Sequence, residues 1–307
     1  MSRHTIAFVV PTMDRPDDLR TMLTSLAAQT RPVDQVIIVD ASQPDVRAVC
    51  DEFATLPLDY VREYPPSLAR QRNAGMQRVR EGITLAGYLD DDIVLESEAI
   101  ERMMAYWDAA GDDLGGTAFS ITNAPPARWT RVKSLAGLDS PQPGRVLPSG
   151  CTSILGCQPR DLDTDWLCGG ATVWRREVVR DFPYDEWFKG TGYLEDVDYS
   201  FNVRSRYRLA LVAGARVAHY SRPVRPDRQA LLGRWQIVNR MYLVRKYRAR
   251  GLSVARAWLA NFALPVLHAA QALLKGDRDA WSRARGNLHG VWDELRGRRP
   301  QLGGFLK

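Results

Sequence analysis

Three consecutive carboxylates, Asp90, Asp91 and Asp92, follow the apolar run Leu85–Leu89 (LAGYL). Carboxylates this close repel, and each raises the others' pKa unless a cation neutralises them. Oxygen-donor clusters select hard cations such as Mg²⁺ or Mn²⁺, which bind through one or two carboxylates together with substrate phosphates. A solvated acidic turn that caps the next helix is the plainer alternative; the position at the end of a buried-looking strand favours the metal. A second acidic pair, Glu195-Asp196, opens a helix-like stretch, where carboxylates also gain from the helix dipole, so an N-terminal cap is the alternative there. Asp198 stands beside them as a third candidate. His219, in ARVAHYS, is by type alone a core or edge histidine. Arg15, Arg70 and Arg72 are the cations that could meet a phosphate. Neither G-x-G-x-x-G nor G-x-x-x-x-G-K-[ST] occurs, which argues against a dinucleotide-binding unit and a P-loop.

The elements that must position these residues alternate in kind. Strand patterns run over Thr5–Thr12, Gln35–Asp40, Leu58–Glu63, Leu85–Leu89 and Leu114–Thr122. Between them lie helical patterns at Pro16–Gln29, Pro44–Phe53, Ser67–Arg80 (with Ser67 as N-cap) and Ser97–Ala109, the first with Leu19, Met22, Leu23 and Leu26 on one face. Such alternation predicts an α/β fold, a Rossmann-like and mostly parallel sheet with helices on both faces. Ligands of such sheets bind beyond the carboxyl ends of the strands, here Thr12, Asp40 and Asp90–Asp92. Residues 123–165 read as a long irregular connection. Order resumes at Trp166–Val179, then a helix over Glu195–Arg206 and strands at Leu209–Ala213 and Arg216–Tyr220. Beyond Pro223 the pattern is helical throughout: Arg228–Arg248, Ser253–Leu274 and Asp279–Leu295.

The chain has 307 residues, 45% hydrophobic and 25% charged, which excludes a disordered or collagen-like chain. Its net charge of +6 conceals a division: residues 1–221 hold 24 Lys/Arg against 31 Asp/Glu, residues 222–307 hold 18 against 5. A basic tail on an acidic body suggests an anionic partner for the tail. The same position, 221/222, is the expected boundary between a catalytic domain and a helical extension. Four cysteines without a C-x-x-C argue for reduced thiols and against zinc, and no signal peptide is read at the N-terminus.

Taken together, VVPTMDRP, VIIVDAS, SLARQRNAG, YLDDDI, WLCGGATVWRREVV and GYLEDVDYSFNVR resemble glycosyltransferase family 2, in order and spacing, over about residues 5–220. The resemblance implies a GT-A fold and an inverting transfer of a hexosyl or deoxyhexosyl group from a nucleotide-diphosphate sugar. It implies a donor site at Pro11, Thr12, Arg15, Asp40 and Ser42, bordered by Arg72, Asn73 and Gly75. Asp90 and Asp92 match its D-x-D motif, facing ribose and metal, with Asp91 within reach of the ribose. Glu195-Asp196 match the Glu-Asp motif, Asp196 being the expected base, and some members place a metal-ligating His where His219 stands. Gly169-Gly170 sit where the acceptor site begins. Trp166 is open to two readings, sugar platform or core; Trp174 reads as core.

In the tail, Trp and Tyr are mixed with Arg on helical patterns, and Arg256, Asn261 and Pro265 interrupt the most apolar stretch, which argues against a membrane span. Interfacial attachment to anionic lipid fits, as does packing against the body or a second subunit. The expected setting is the inner, cytoplasmic face of the cell membrane, with a glycan or glycolipid acceptor in polysaccharide or glycolipid assembly. Three alternatives stand beside this: transfer to a polyprenyl phosphate, a nucleotidyltransferase, and a nucleic-acid-binding module, which the acidic body argues against.

Overall fold

A computed structural model describes residues 3–124, 130–190 and 192–304. The chain divides into two compact units, Met1–Pro126 with Leu155–Glu186 and Glu195–Ser221, and Ala127–Ile154 with Trp187–Leu194 and Arg222–Lys307.

In the first unit the order is β1 (Ile6–Thr12), α1 (Pro16–Ala27), β2 (Gln35–Asp40), α2 (Arg47–Asp51), β3 (Leu58–Arg62), α3 (Leu68–Met76), β4 (Leu85–Leu89), β5 (Ile93–Leu95), α4 (Ala99–Ala109) and β6 (Leu114–Ile121). α5 (Arg131–Leu135) belongs to the second unit; β7 (Leu162–Thr164), β8 (Ala171–Arg175), α6 (Arg176–Asp181), α7 (Glu195–Val203) and β9 (Arg208–His219) complete the first. Among the described residues, nine strands form one sheet of order β3-β2-β1-β4-β8-β6-β9-β5, with β7 on β9. β1, β2, β3, β4, β6 and β9 point the same way, and β5, β7 and β8 run against them. This is the mostly parallel sheet expected.

Both faces of the sheet are covered, so its central strands are apolar without alternation. Ile6, Phe8 and Val10 of β1 face one cluster with Leu19, Met22 and Leu23 of α1 and Met103 and Trp107 of α4. Ala7 and Val9 face the other, with Ala69 and Met76 of α3, Tyr88 and Tyr199. The period-two direction of strand side chains makes that division. α1 begins with Pro16, whose missing N–H costs nothing in a first turn, and Asp17 and Asp18 there complement the dipole.

Several elements depart from the sequence reading. Ser67 precedes α3 in extended conformation but makes no capping bond. The stretch 123–165 is not wholly irregular: it carries α5 and β7, five and three residues long, too short to show a period. The two expected strands 209–213 and 216–220 are one strand, β9. Its register against β6 jumps from Phe119↔Val212 to Ser120↔Arg216. This bulge around Gly214 breaks the alternation in the sequence. β5, at three residues too short to show a period, pairs antiparallel with β9.

The second unit contains α8 (Gln229–Lys246), α9 (Val254–Lys275) and α10 (Arg278–Leu295), each within two residues of its expected start and end. α8 and α10 approach closely because Gly233 and Gly286 face the opposite backbone; a Cβ at either would lie 2.2 Å from Arg283 O or 2.0 Å from Ala230 O. Asn287 donates to Gly233 O (2.7 Å) and to Gln236 Oε1 (3.0 Å) between them.

Candidate active site

The carboxyl ends of β1 and β4 bring the first set of polar groups together. Asp91 and Asp92 are buried, whereas the Asp90 side chain retains 26% of its exposure. The three carboxylates do not act alike. Asp91 accepts from Thr12 Oγ1 (2.8 Å) and from Arg15 Nη1 (2.9 Å), and the same guanidinium nitrogen reaches Asp92 Oδ2 (3.2 Å). Burial pushes the Asp91 carboxyl up to about 7, with Arg15 pulling the other way. Asp92 Oδ1 lies 2.9 Å from His219 Nε2.

His219 owes that position to β5. Ile93 pairs with His219 in the antiparallel register, and Tyr220 N donates to Asp92 O (2.9 Å). Asn123 clamps the same residue, donating to His219 O and accepting from His219 N. One ligand atom each from Asp90, Asp92 and His219 therefore falls within 4.8 Å of the others. Two carboxylate oxygens and an imidazole nitrogen at this spacing suit a divalent cation that keeps positions open for phosphate. Asp91, turned to Arg15, is outside that set.

Around β2 the polar groups are committed to one another. Asp40 is fully buried and accepts from Ser42 N (2.7 Å), Val46 N (3.0 Å), Tyr60 OH (2.5 Å) and Arg62 Nη1 (2.8 Å). Burial alone would raise its carboxyl, but the hydrogen bonds from Ser42, Tyr60 and Val46 outweigh it and hold it below the usual range. Ser42 Oγ accepts from Asp14 N (2.8 Å), tying the loop after β1 to the loop after β2. Gln71 bridges the same two strand ends, donating to Thr12 O and Val39 O. Pro11 is buried inside β1. The sequence reading missed Tyr60, Arg62 and Gln71. Tyr60 and Arg62 follow Asp40 into a neighbouring strand, which only the β2–β3 register (Ile38↔Tyr60, Asp40↔Arg62) reveals.

Arg72 is the hub of the second set. It is 1% exposed, donates to Glu195 Oε1 (3.1 Å) and Asp90 Oδ1 (3.2 Å), and lies over the rings of Tyr184 (5.0 Å) and Tyr88 (5.5 Å). Burial pushes the Glu195 carboxyl well up, the Asp196 charge adds to this, and Arg72 opposes it. The Asp196 carboxyl is also raised by burial, with Arg72 and the N–H groups of Val197 and Gly169 opposing. Cys168, beside them, has its thiol pushed up to about 12, chiefly by burial and then by Asp196 and Asp90, which disfavours the thiolate. Arg70 instead pairs with Glu63.

Gly169 and Gly170 pass directly against this set. Gly169 N donates to Asp196 Oδ2 (3.4 Å), and Gly170 O accepts from Asp90 N (2.8 Å). A Cβ on Gly170 would fall 2.4 Å from Asp90 Oδ2. Gly170→Ala should displace Asp90 and lower unfolding stability by about 1–3 kcal/mol in a denaturant titration. An unchanged midpoint would show that Asp90 swings aside freely. Asn73 points elsewhere: its amide exchanges two bonds with the backbone of Tyr184, at 3.0 and 2.9 Å. Trp166 is half-buried and Asp198 buried, while Trp174 is a core residue, its ring edge-on to Tyr199. Tyr184, stacked on Tyr199 (4.2 Å), sits in an aperiodic stretch that gave no indication of its place under Arg72.

The profile of Glycosyl transferase family 2 matches residues 7–181. No curated protein matches the sequence. Among solved structures, the chain is similar to the mannosyltransferase PcManGT from Pyrobaculum calidifontis, in complex with GDP-Man and Mn²⁺ (15% identity, TM-score 0.58, 95% of this chain and 87% of that one). It is similar to S. aureus TarS 1-349 in complex with UDP (15%, 0.53, 96% and 92%) and spans 55% of the longer TarS chain. GalNAc-T7 with UDP, GalNAc and Mn²⁺ is similar over 71% of this chain and 44% of its own (16%, 0.55). At these identities the likeness is one of fold, and that fold is the GT-A type expected from the sequence.

Proposed function

Because this chain belongs to glycosyl transferase family 2, we propose that it moves a sugar from a nucleotide-diphosphate donor to an acceptor hydroxyl with inversion, in polysaccharide or glycolipid assembly. The observation that carries the reading is the convergence of Asp90, Asp92 and His219 beside the Arg72–Glu195 pair. On this reading those three hold Mg²⁺ or Mn²⁺. The ion, when bound, neutralises charge on the departing nucleoside diphosphate.

The remaining roles belong to side chains of the chain itself. Thr12 and Arg15 fix Asp91, which faces the ribose, and the loop braced by Asp40 and Ser42 receives the base. Arg72 compensates the carboxylates on either side of it. Asp196 takes the proton from the acceptor hydroxyl as that oxygen attacks the anomeric carbon through an oxocarbenium-like transition state. A single displacement inverts the centre, and no covalent intermediate on the protein is needed. Gly169, Gly170 and Trp166 form the acceptor side, and Asn73 borders the donor, holding the backbone of Tyr184 beneath Arg72. A glycan or glycolipid acceptor places the enzyme at the inner face of the cell membrane, peripheral to it through residues 222–307.

The test is thermal stabilisation by UDP, dTDP, GDP and CDP, each with and without Mn²⁺. A ligand at a hundred times its dissociation constant stabilises the native state by about 2.7 kcal/mol. One nucleotide should shift the transition only with metal, and Asp92→Ala should abolish that shift. A full shift in the variant would remove Asp92 from the site, and no shift with any nucleotide would remove the donor assignment.

A further inference from the structure

The exposed residues of α9 and α10 share a chemistry. None of the exposed residues of these two helices is acidic, and apart from His289 all are apolar, Arg or Lys. On α9, Leu259, Phe262, Val266 and Leu273 are half or more exposed and, at steps of three, four and seven, form one stripe. Arg256 and Lys275 stand exposed near its two ends. On α10, Trp281, Leu288, Trp292 and Leu295 repeat the arrangement, with Arg278 and Arg285 exposed between and before them.

α9 is 22 residues long and apolar enough to cross a membrane by length and composition, but its other side is fastened to protein. Asn261, fully buried, accepts from Arg240 Nη1 (2.6 Å), and His268 meets Asn287 Oδ1 (2.7 Å). Gln271 donates to Asp277 (2.8 Å). Lipid on all sides would strip those groups of their partners, which is costly in hydrocarbon. A helix with one face tied to protein and the other apolar lies flat at an interface.

We propose that α9 and α10 together form a docking face for an anionic lipid surface, the apolar stripes entering the acyl boundary and the arginines meeting headgroup phosphates. The inference rests on the placement of the chain at a membrane and supplies the face that does it. Charge decides between a bilayer and a second copy. Two copies joined face to face would bring Arg278 and Arg285 against the same cations with no exposed carboxylate to offset them, whereas an anionic leaflet gains about 1 kcal/mol per cation, about fivefold in partitioning.

The experiment is co-sedimentation of the full chain with vesicles of phosphatidylcholine, with and without phosphatidylglycerol, at low and high salt and without donor or metal. Binding should require phosphatidylglycerol and weaken with salt. Arg278→Gln with Arg285→Gln should lower partitioning about fivefold per arginine, and Phe262→Gln with Val266→Gln about tenfold or more. Both variants should keep the circular dichroism of the parent and its nucleotide-dependent thermal shift. Absence of vesicle binding, or binding unaffected by the Phe262/Val266 pair, would overturn the proposal. So would a concentration-dependent dimer that this pair dissolves. Because the vesicle measurement contains no donor, its failure leaves the sugar-transfer reading standing, and a failed nucleotide shift leaves this one standing.

Discussion

Asp196→Asn should lower kcat by about 10²–10⁴-fold, the usual worth of a positioned general base, while leaving donor affinity near that of the parent. The exchange keeps the shape of the side chain while removing its charge and its capacity to take a proton. Asp196 Oδ1 accepts the Val197 N–H (2.8 Å) and Oδ2 the Gly169 N–H (3.4 Å); the single amide oxygen of Asn can keep the shorter bond, and the longer one is lost. Single-turnover assays with saturating donor read the chemical step, and nucleotide-dependent thermal shifts read binding. The pH profile carries a second mark. A base acts in its ionised form, and burial holds the Asp196 carboxyl above its ordinary 3.8. In the parent, kcat/KM should therefore fall on acidification at a pH higher than a solvated aspartate would give. Parent-like turnover in Asp196→Asn would move the base to another group, and an equal loss of donor binding would make Asp196 a structural residue.

Arg72→Met should cost about 3–5 kcal/mol of unfolding free energy, the range for removing one partner of a buried ion pair. Met approximates the length of the side chain but leaves Glu195 and Asp90 without their cation, and leaves Tyr184 and Tyr88 beneath an uncharged chain. The pH dependence follows in sign. Glu195 already has a folded-state pKa raised above its unfolded 4.5. Such a group favours the folded state fully below its unfolded pKa and loses that contribution as pH rises through its folded pKa. Removing Arg72 raises the folded value further, so the deficit should be small near pH 4 and largest at neutral pH. Urea titrations at the two pH values measure it; a deficit equal at both would mean that Glu195 does not feel Arg72.

Where the sequence was readable, a long period or a chemical cluster made it so. β2 and β4 were placed to the residue, and Asp90-Asp91-Asp92 stood out as a candidate site because like charges rarely gather without a counterion. What stayed hidden depended on pairing across the chain. Nothing in three adjacent Asp residues says that Asp90 and Asp92 each offer an oxygen near His219 while Asp91 is committed to Thr12 and Arg15, since the place of His219 follows from the β5–β9 register. Asn73 was read as a donor-side group from its motif alone, yet its amide holds the Tyr184 backbone, a partner 111 residues away. Asp40 was legible as a strand end but not as a buried carboxylate braced from β3. The exposed face of α9 was masked in the sequence because its buried side is apolar and small as well, with Ala257 and Ala260 beneath.

β8 runs against its neighbours β4 and β6, so its first residue, not its last, lies at the edge where Asp90 stands. Gly169 and Gly170 thus arrive at the site at the end of the connection from β7 to β8, whereas Thr12, Asp40 and Asp90 sit at the exits of parallel strands. On the proposed roles, the half that grips the nucleotide is framed by the sheet, and the half that meets the acceptor hangs from a loop. Doubling the length of such a loop costs only about 0.6 kcal/mol in closure entropy. A lineage built on this plan can therefore exchange its acceptor by rewriting one connection, without reopening the part that recognises the donor.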